Sequence, residues 1–329
     1  MVYRSDRDSA FDNGRRADDS TRAHNGTGTH DRAGTDDGSR AHHGTGADDC
    51  IARADGRDDR TDNHGGRACC NDRRRDDGDL RRKRDSVPEV MIDFVLRLAE
   101  INFLAHVNFE TTRAFCEGYI TDGEPDFEVT VSDGDIARER TAAGGEHSDK
   151  YLETLALYRK IAECASEKDA ILFHSSAISV DGRAYVFTAK SGTGKSTHAA
   201  LWRKLLGERA VMINDDKPLI RQIGGEYFVY GTPWNGKHRL GANISAKLHG
   251  ICIIGRGAEN KIEKITQDEA LPRLLMQTFR PTDAEKTARV LQTVVGMSAS
   301  VPIYKLKCNM DLSAAETSYG AMKGENNET

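Results

Sequence analysis

Thr188-Ala189-Lys190-Ser191-Gly192-Thr193-Gly194-Lys195-Ser196-Thr197 reads as a loop shaped for the phosphates of a nucleoside triphosphate. Glycines at 192 and 194 let backbone N–H groups turn toward an anion, Lys195 adds a mobile positive charge, and Ser196 offers a hydroxyl suited to a Mg²⁺ shell. The β-forming run Arg183-Ala184-Tyr185-Val186-Phe187-Thr188 precedes it, and His198-Ala199-Ala200-Leu201-Trp202 opens a helical pattern behind it. Strand, glycine loop and helix is the order such a site needs, because the helix N-terminus adds its partial positive charge. One position departs from Gly-x-x-x-x-Gly-Lys-Ser: residue 189 is alanine. The competing reading is a glycine-rich turn with a chance Lys-Ser.

About twenty residues on, the apolar run Ala210-Val211-Met212-Ile213 ends in Asn214-Asp215-Asp216-Lys217-Pro218. A buried strand would deliver both carboxylates to the sheet edge where ligands of α/β proteins sit. One carboxylate then suits Mg²⁺ and the other a proton from an attacking hydroxyl. Read alone, the pair is a solvated turn ended by Pro218. Upstream, Asp181-Gly182 joins two β-rich runs and signals a hairpin, which predicts His174 on a strand paired with the one that feeds the loop. There its imidazole is either a partner for the carboxylates or an ordinary edge histidine.

His174, the loop from Ser191 to Ser196 and the Asp215-Asp216 pair occur in an order and spacing that resembles the C-terminal catalytic domain of HPr kinase/phosphorylase. The loop also resembles that of phosphoenolpyruvate carboxykinase, whose nucleotide-binding fold is related. The resemblance covers roughly residues 170–218. It implies an α/β fold: a P-loop-containing catalytic domain of the HPr kinase and phosphoenolpyruvate carboxykinase type. It further implies Asp215 as general base, His174 as the partner of Asp215, Lys195 on the β- and γ-phosphates, and Ser196 and Asp216 as Mg²⁺ ligands. Ser191, Gly192, Thr193, Gly194, Lys195, Ser196 and Thr197 would hold ATP. Related HPr kinases assemble as oligomers, so a homo-oligomer is implied as well.

Farther on, Tyr230-Gly231-Thr232-Pro233-Trp234-Asn235-Gly236-Lys237-His238-Arg239-Leu240-Gly241 is not the HPr-kinase signature and looks like the hallmark of an HPr-kinase-like subgroup. Pro233 and the glycines make a tightly turned loop. Trp234 and Lys237 are therefore candidates for gripping an acidic or phosphorylated substrate, with Trp234 as a core anchor the alternative. Arg256 and Arg280 lie near element ends, within reach of phosphates or as surface charges.

The first ninety residues differ from the rest, with nineteen Asp but one Glu, and seventeen Arg but one Lys. So few aliphatic residues cannot offset chain entropy, which predicts a disordered extension over 1–90; it reads either as translated from upstream of a native start near Met91 or as a genuine mixed-charge tail. The rest divides into a small α/β module over 91–166 and the catalytic domain over 167–329. In the module, strands are expected within 94–107 and 127–131 and a helix near 149–164. In the catalytic domain, strands are expected at 248–254, 261–265 and 301–306, helices at 267–278 and 283–297, and a frayed end.

Cys50, Cys69 and Cys70 lack the paired spacing of a zinc site. Cys116, Cys164, Cys252 and Cys308 read as reduced core thiols. No apolar run approaches the twenty or so residues of a membrane span, and a net charge of −5 leaves no nucleic-acid footprint. The composite expectation is a cytoplasmic, ATP- and Mg²⁺-dependent kinase acting on a hydroxyl of a protein or peptide, serine first. A small-molecule phosphotransferase and a non-catalytic nucleotide-binding switch are the alternatives.

Overall fold

The structure, a computed structural model, describes residues 91–324. The expectations for residues 1–90, namely disorder, an upstream start and the Cys50, Cys69 and Cys70 group, lie outside the described residues, as does fraying of 325–329. The described residues belong to one compact unit of mixed α/β structure.

The site is positioned by strand direction in the larger sheet. The hairpin turn at Asp181 and Gly182 has both residues in the left-handed region, at φ of 50° and 77°. That turn makes strand β5 (Ser176–Val180) antiparallel to β6 (Arg183–Thr188). A primed turn of this kind matches the natural strand twist. On its other side β5 is antiparallel to β7 (Ala210–Asn214). Hence β6 and β7 point the same way. The twelve-residue strand β10 (Ser245–Arg256) runs parallel to β6 and to β12 (Ile303–Cys308). The ends of β6, β7 and β10 therefore meet at one edge, where an open α/β sheet places its ligands. Strands β4 (Ala170–Leu172), β8 (Leu219–Ile223) and β9 (Glu226–Tyr230) extend this sheet beyond β10, and β11 (Lys261–Lys264) pairs with β12.

Helices cover both faces, so the central strands read as nearly unbroken apolar runs. Helices α4 (Lys195–Leu206) and α7 (Leu312–Met322) pack on one face around Trp202, Phe187 and Leu306. Helices α5 (Gln267–Gln277) and α6 (Ala284–Ser300) cover the other around Val186, Ile251 and Val294. α7 occupies part of a C-terminal stretch that had shown no helical signal; its Ala314, Ala315 and Ser318 are small residues that allow close approach to α4.

The N-terminal module pairs β1 (Ile92–Leu98) with β2 (Ile101–Val107) and adds β3 (Phe127–Thr130) parallel to β2. Its long helix α3 (Asp149–Ala165) buries Leu152, Ala156 and Ile161 completely, and the same core takes in Leu172 and Leu219 of the larger sheet and Trp234 of the loop after β9. Glu153 is also fully buried there. Its carboxylate accepts from the amides of Asn108 and Phe109 and from the Thr112 hydroxyl, capping the short helix α1 (Glu110–Phe115), which has no side-chain cap of its own. A buried carboxylate is tolerated when donors surround it in this way. Among the described residues the four cysteines are unpaired, and no helix is long and apolar enough to cross a membrane.

Candidate active site

The loop after β6 turns at residues 190–194, with the Thr193 amide donating to the Lys190 carbonyl at 3.2 Å. Gly192 and Gly194 have φ of 72° and 123°, values at which any larger side chain strains the backbone. Gly194 is the N-cap of α4, and no side chain caps that end, so the first turn keeps the anion-seeking character of a bare helix N-terminus. Lys195 is buried at the start of α4 and donates from Nζ to the Ala189 carbonyl at 3.2 Å. Ala189 is buried as well, so the missing glycine is absorbed by a small side chain packed inward. Ser191, Gly192, Ser196 and Thr197 are exposed along the loop and first turn.

The end of β7 lies beside this loop. Asn214 is fully buried, and its Oδ1 accepts from the amides of Asp216 and Lys217 at 2.9 and 2.8 Å. Its Nδ2 donates to the Thr232 carbonyl and hydroxyl. This side-chain turn bends the chain immediately after the strand. Asp215 and Asp216 consequently point to different neighbours, as consecutive residues leaving an extended strand do. Asp215 is buried, with Oδ1 accepting from Ser176 at 2.7 Å, and the Ser196 hydroxyl is near enough to favour its charged form. Burial raises its pKa; the two serines and His238 counter this, while Asp216 adds to it.

Asp216 is one-third exposed and has His174 Nε2 at 3.5 Å and Lys217 Nζ at 3.8 Å. His174 is held on three sides. Its amide donates to the Gln277 carbonyl at 2.8 Å, its Nδ1 lies 3.0 Å from Gln277 Oε1, and its carbonyl accepts from Thr188. Burial, then the nearby Lys195 charge, pushes the imidazole down to about 4 against the pull of Asp216, so it is neutral at pH 7.

Two expectations need correction. His174 does not sit in the hairpin strand; it lies in the connection between β4 and β5, because the ladder with β6 begins only at Ser176. The carboxylate 3.5 Å from its Nε2 is that of Asp216, where the resemblance implied Asp215; Asp215 itself accepts from Ser176 and lies near Ser196, the residue matched with Asp216 as a Mg²⁺ ligand. Asn214, Ser176 and Gln277 had not been singled out. Asn214 carried a sequence signal, an Asn at a strand end before two carboxylates. Gln277 carried none, since it lies 103 residues from His174.

Trp234 is an anchor. It is buried, stacks on Tyr158 with centroids 4.0 Å apart, meets Phe115 edge-on and donates from Nε1 to the Thr154 carbonyl at 3.0 Å. No flat aromatic surface is left for a substrate. Its loop is nevertheless part of the site: an added β-carbon on Gly236 would sit 3.4 Å from the Asp215 carbonyl and 3.6 Å from Asp216 Cβ. Lys237, His238 and Arg239 follow, exposed beside the carboxylates, with Arg239 over the Phe115 ring.

Among the described residues no three His, Cys, Asp or Glu side chains gather into a self-sufficient metal site. The Asp215 carboxylate and the nearby Ser196 hydroxyl beside an anion cradle do fit Mg²⁺, which usually keeps waters and shares itself between one or two carboxylates and substrate phosphates.

No protein-family model matches the chain, and no curated protein matches it. Among solved structures, the chain is similar to the Hpr(Ser) kinase/phosphatase from Coxiella burnetii, at 9% identity and a TM-score of 0.28, over 46% of this chain and 99% of that one. At that score the likeness adds nothing to the geometry, and the functional reading rests on this chain's own residues.

Proposed function

We propose that this protein is a phosphotransferase that moves the terminal phosphoryl group of ATP, with Mg²⁺, to a hydroxyl of a protein, peptide or small molecule. The observation that carries this reading is the divided carboxylate pair. Asp215 is buried, bonded to Ser176 and near Ser196 of the glycine loop, and its neighbour Asp216 opens toward solvent beside His174. A protein that only senses a nucleotide has use for the first carboxylate and none for the second.

Asp215 and Ser196 would hold the metal, and Asp216 would be the base, the reverse of the assignment that the family resemblance implies. Bound Mg²⁺ supplies charge neutralisation at the phosphate oxygens. The loop amides and Lys195 would hold the triphosphate in line and offset charge as it shifts toward the leaving diphosphate. As the acceptor oxygen bonds to the terminal phosphorus and the bond to the bridging oxygen breaks, Asp216 would take the hydroxyl proton. Neutral His174, fixed by Gln277, would stand beside Asp216 to share it. Lys237 and its basic neighbours would meet the acceptor at the rim.

The test is transfer from γ-labelled ATP by the full chain with Mg²⁺, against serine peptides, small hydroxyl compounds and a lysate of source cells, in parallel with Asp216→Asn. A labelled product that needs Asp216 supports the reading. Tight nucleotide binding with no labelled product from any acceptor, the same in the variant, would replace it with a binding switch.

A further inference from the structure

The glycine loop is gripped from behind by a residue on another strand. Arg256 is the last residue of β10, and β10 lies parallel to β6, with Ile253 level with Thr188 where the loop begins. From there its guanidinium reaches over the loop. Nη2 donates to the Gly192 carbonyl at 2.6 Å, and Nε lies 3.5 Å from the Thr193 carbonyl. The base of the side chain is rigid, because Arg256 pairs with Cys308 of β12 and the following Gly257 amide donates to the Cys308 carbonyl at 2.9 Å.

The arrangement matters because a peptide loop offers an anion both its amides and its carbonyls. Only the amides attract it, and a carbonyl turned inward repels it. Here the carbonyls of 189, 190, 192 and 193 each meet a donor: Lys195 Nζ, the Thr193 amide and the two ends of Arg256. Three of the four donors belong to side chains, and two of those belong to Arg256. Gly192 and Gly194, in left-handed conformations, would otherwise let the intervening peptides flip at little steric cost.

We propose that Arg256 is a positioning residue for the phosphate-binding loop, pinning the carbonyls of Gly192 and Thr193 so that the loop amides face a bound triphosphate. This rests on the function proposed above. Among the described residues Arg256 pairs with no carboxylate, so its guanidinium is committed to the loop and not to a surface ion pair. A planar fork with several fixed donors can hold two adjacent carbonyls at once, whereas a lysine ammonium on a flexible stem cannot fix both with the same geometry.

The test compares the full chain with Arg256→Gln and Arg256→Lys. MgATP affinity is read by calorimetry, folding by thermal unfolding, and the loop by hydrogen exchange across residues 190–197 without nucleotide. Expected are an unchanged unfolding temperature, faster loop exchange in both variants, and MgATP affinity weaker by tenfold or more, about 1.4 kcal/mol. Arginine-like affinity in Arg256→Lys would reduce the role to charge and overturn the inference, as would wild-type exchange in Arg256→Gln. If the wild-type chain binds no nucleotide, the phosphotransferase reading fails by itself. The exchange measurement still decides whether Arg256 orders the loop.

Discussion

The Nε2 atom of His174 lies 3.5 Å from Oδ1 of Asp216, while Asp215, one residue earlier in the chain, is hydrogen-bonded to Ser176 with Ser196 nearby. Two adjacent carboxylates thus occupy unlike surroundings. One is buried against hydroxyls and the other opens beside a neutral imidazole. Unlike surroundings are how a pair of like groups comes to divide two tasks.

Asp216→Asn is therefore expected to lower phosphoryl transfer by about a hundred- to ten-thousand-fold, the usual contribution of a positioned base. MgATP affinity should stay within a few-fold of wild type. Single-turnover transfer together with calorimetry separates the two quantities, and a large loss of affinity with intact transfer would return the base role to Asp215.

Asp215→Asn should act on the metal. The Mg²⁺ concentration needed for half-maximal nucleotide binding is expected to rise by about tenfold as one anionic ligand is lost. Stability should move the other way. Burial raises the folded pKa of Asp215 above the ordinary carboxylate value. Its contribution therefore favours folding at acid pH and becomes a cost as pH rises past the folded value. At pH 7 the variant should unfold at higher denaturant than wild type, and equal or lower midpoints would contradict the pKa direction.

The two neighbours in the 230–241 loop should separate cleanly. Trp234→Ala removes a buried indole stacked on Tyr158 together with its hydrogen bond to the Thr154 carbonyl, so urea unfolding should show a loss of about 3–5 kcal/mol. Lys237→Ala is exposed and should cost less than about 0.5 kcal/mol. Its effect, read once an acceptor is in hand, should fall on the acceptor KM and leave MgATP affinity alone.

What could be read in the sequence follows the reach of each signal. Asp181-Gly182, the glycine loop and the apolar run before Asn214 are local. Each constrains its own backbone, so the hairpin, the strand-loop-helix unit and the carboxylates at the sheet edge could be placed from residue types alone. The direction of each carboxylate could not. It depends on Asn214 bonding forward to the amides of 216 and 217 and sideways to Thr232. The orientation of His174 depends on Gln277, brought in by a helix that packs on the far side of the sheet. Trp234 was open between two readings because an indole that fills a core and one that faces a substrate look the same in sequence; the stacking partner Tyr158 lies in another element. Helix α7 went unrecognised because its buried face, apart from Met322 at its end, is made of Ala314, Ala315 and Ser318, which carry little apolar contrast.

Gly231→Ala should show how tightly the loop base is closed. A β-carbon there would fall 1.9 Å from the Ala242 carbonyl oxygen and 2.9 Å from that of Ile213, both main-chain atoms that cannot rotate away. The Ala242 amide itself donates to Ile213 at 3.2 Å, on the strand that carries the carboxylates. Overpacking of this kind costs about 1–3 kcal/mol, and here it would also push the 236–241 segment off Asp216. The expected result is a lowered unfolding midpoint together with impaired transfer. Full transfer in a stably folded variant would show that the rim can move without consequence.

His198 gives a pH signature remote from the carboxylates. It sits in α4, almost fully buried, with Nε2 2.9 Å from the Ser318 hydroxyl of α7, and that hydroxyl also accepts from Trp202 Nε1 at 2.8 Å. Burial lowers the imidazole pKa from 6.5 to about 4. Because the folded value is depressed, the unfolded chain binds the extra proton first as pH falls. Stability is complete above about pH 6.5 and declines toward pH 4, by up to about 3 kcal/mol if the full shift is realised. His174 has a similarly depressed value and adds to the same slope. His198→Gln keeps an amide donor for Ser318 and has no proton to gain, so its unfolding free energy should vary less with pH across that window. Urea unfolding of both proteins at pH 7, 6, 5 and 4 measures the difference, and parallel curves would mean that His198 is already solvated when it titrates.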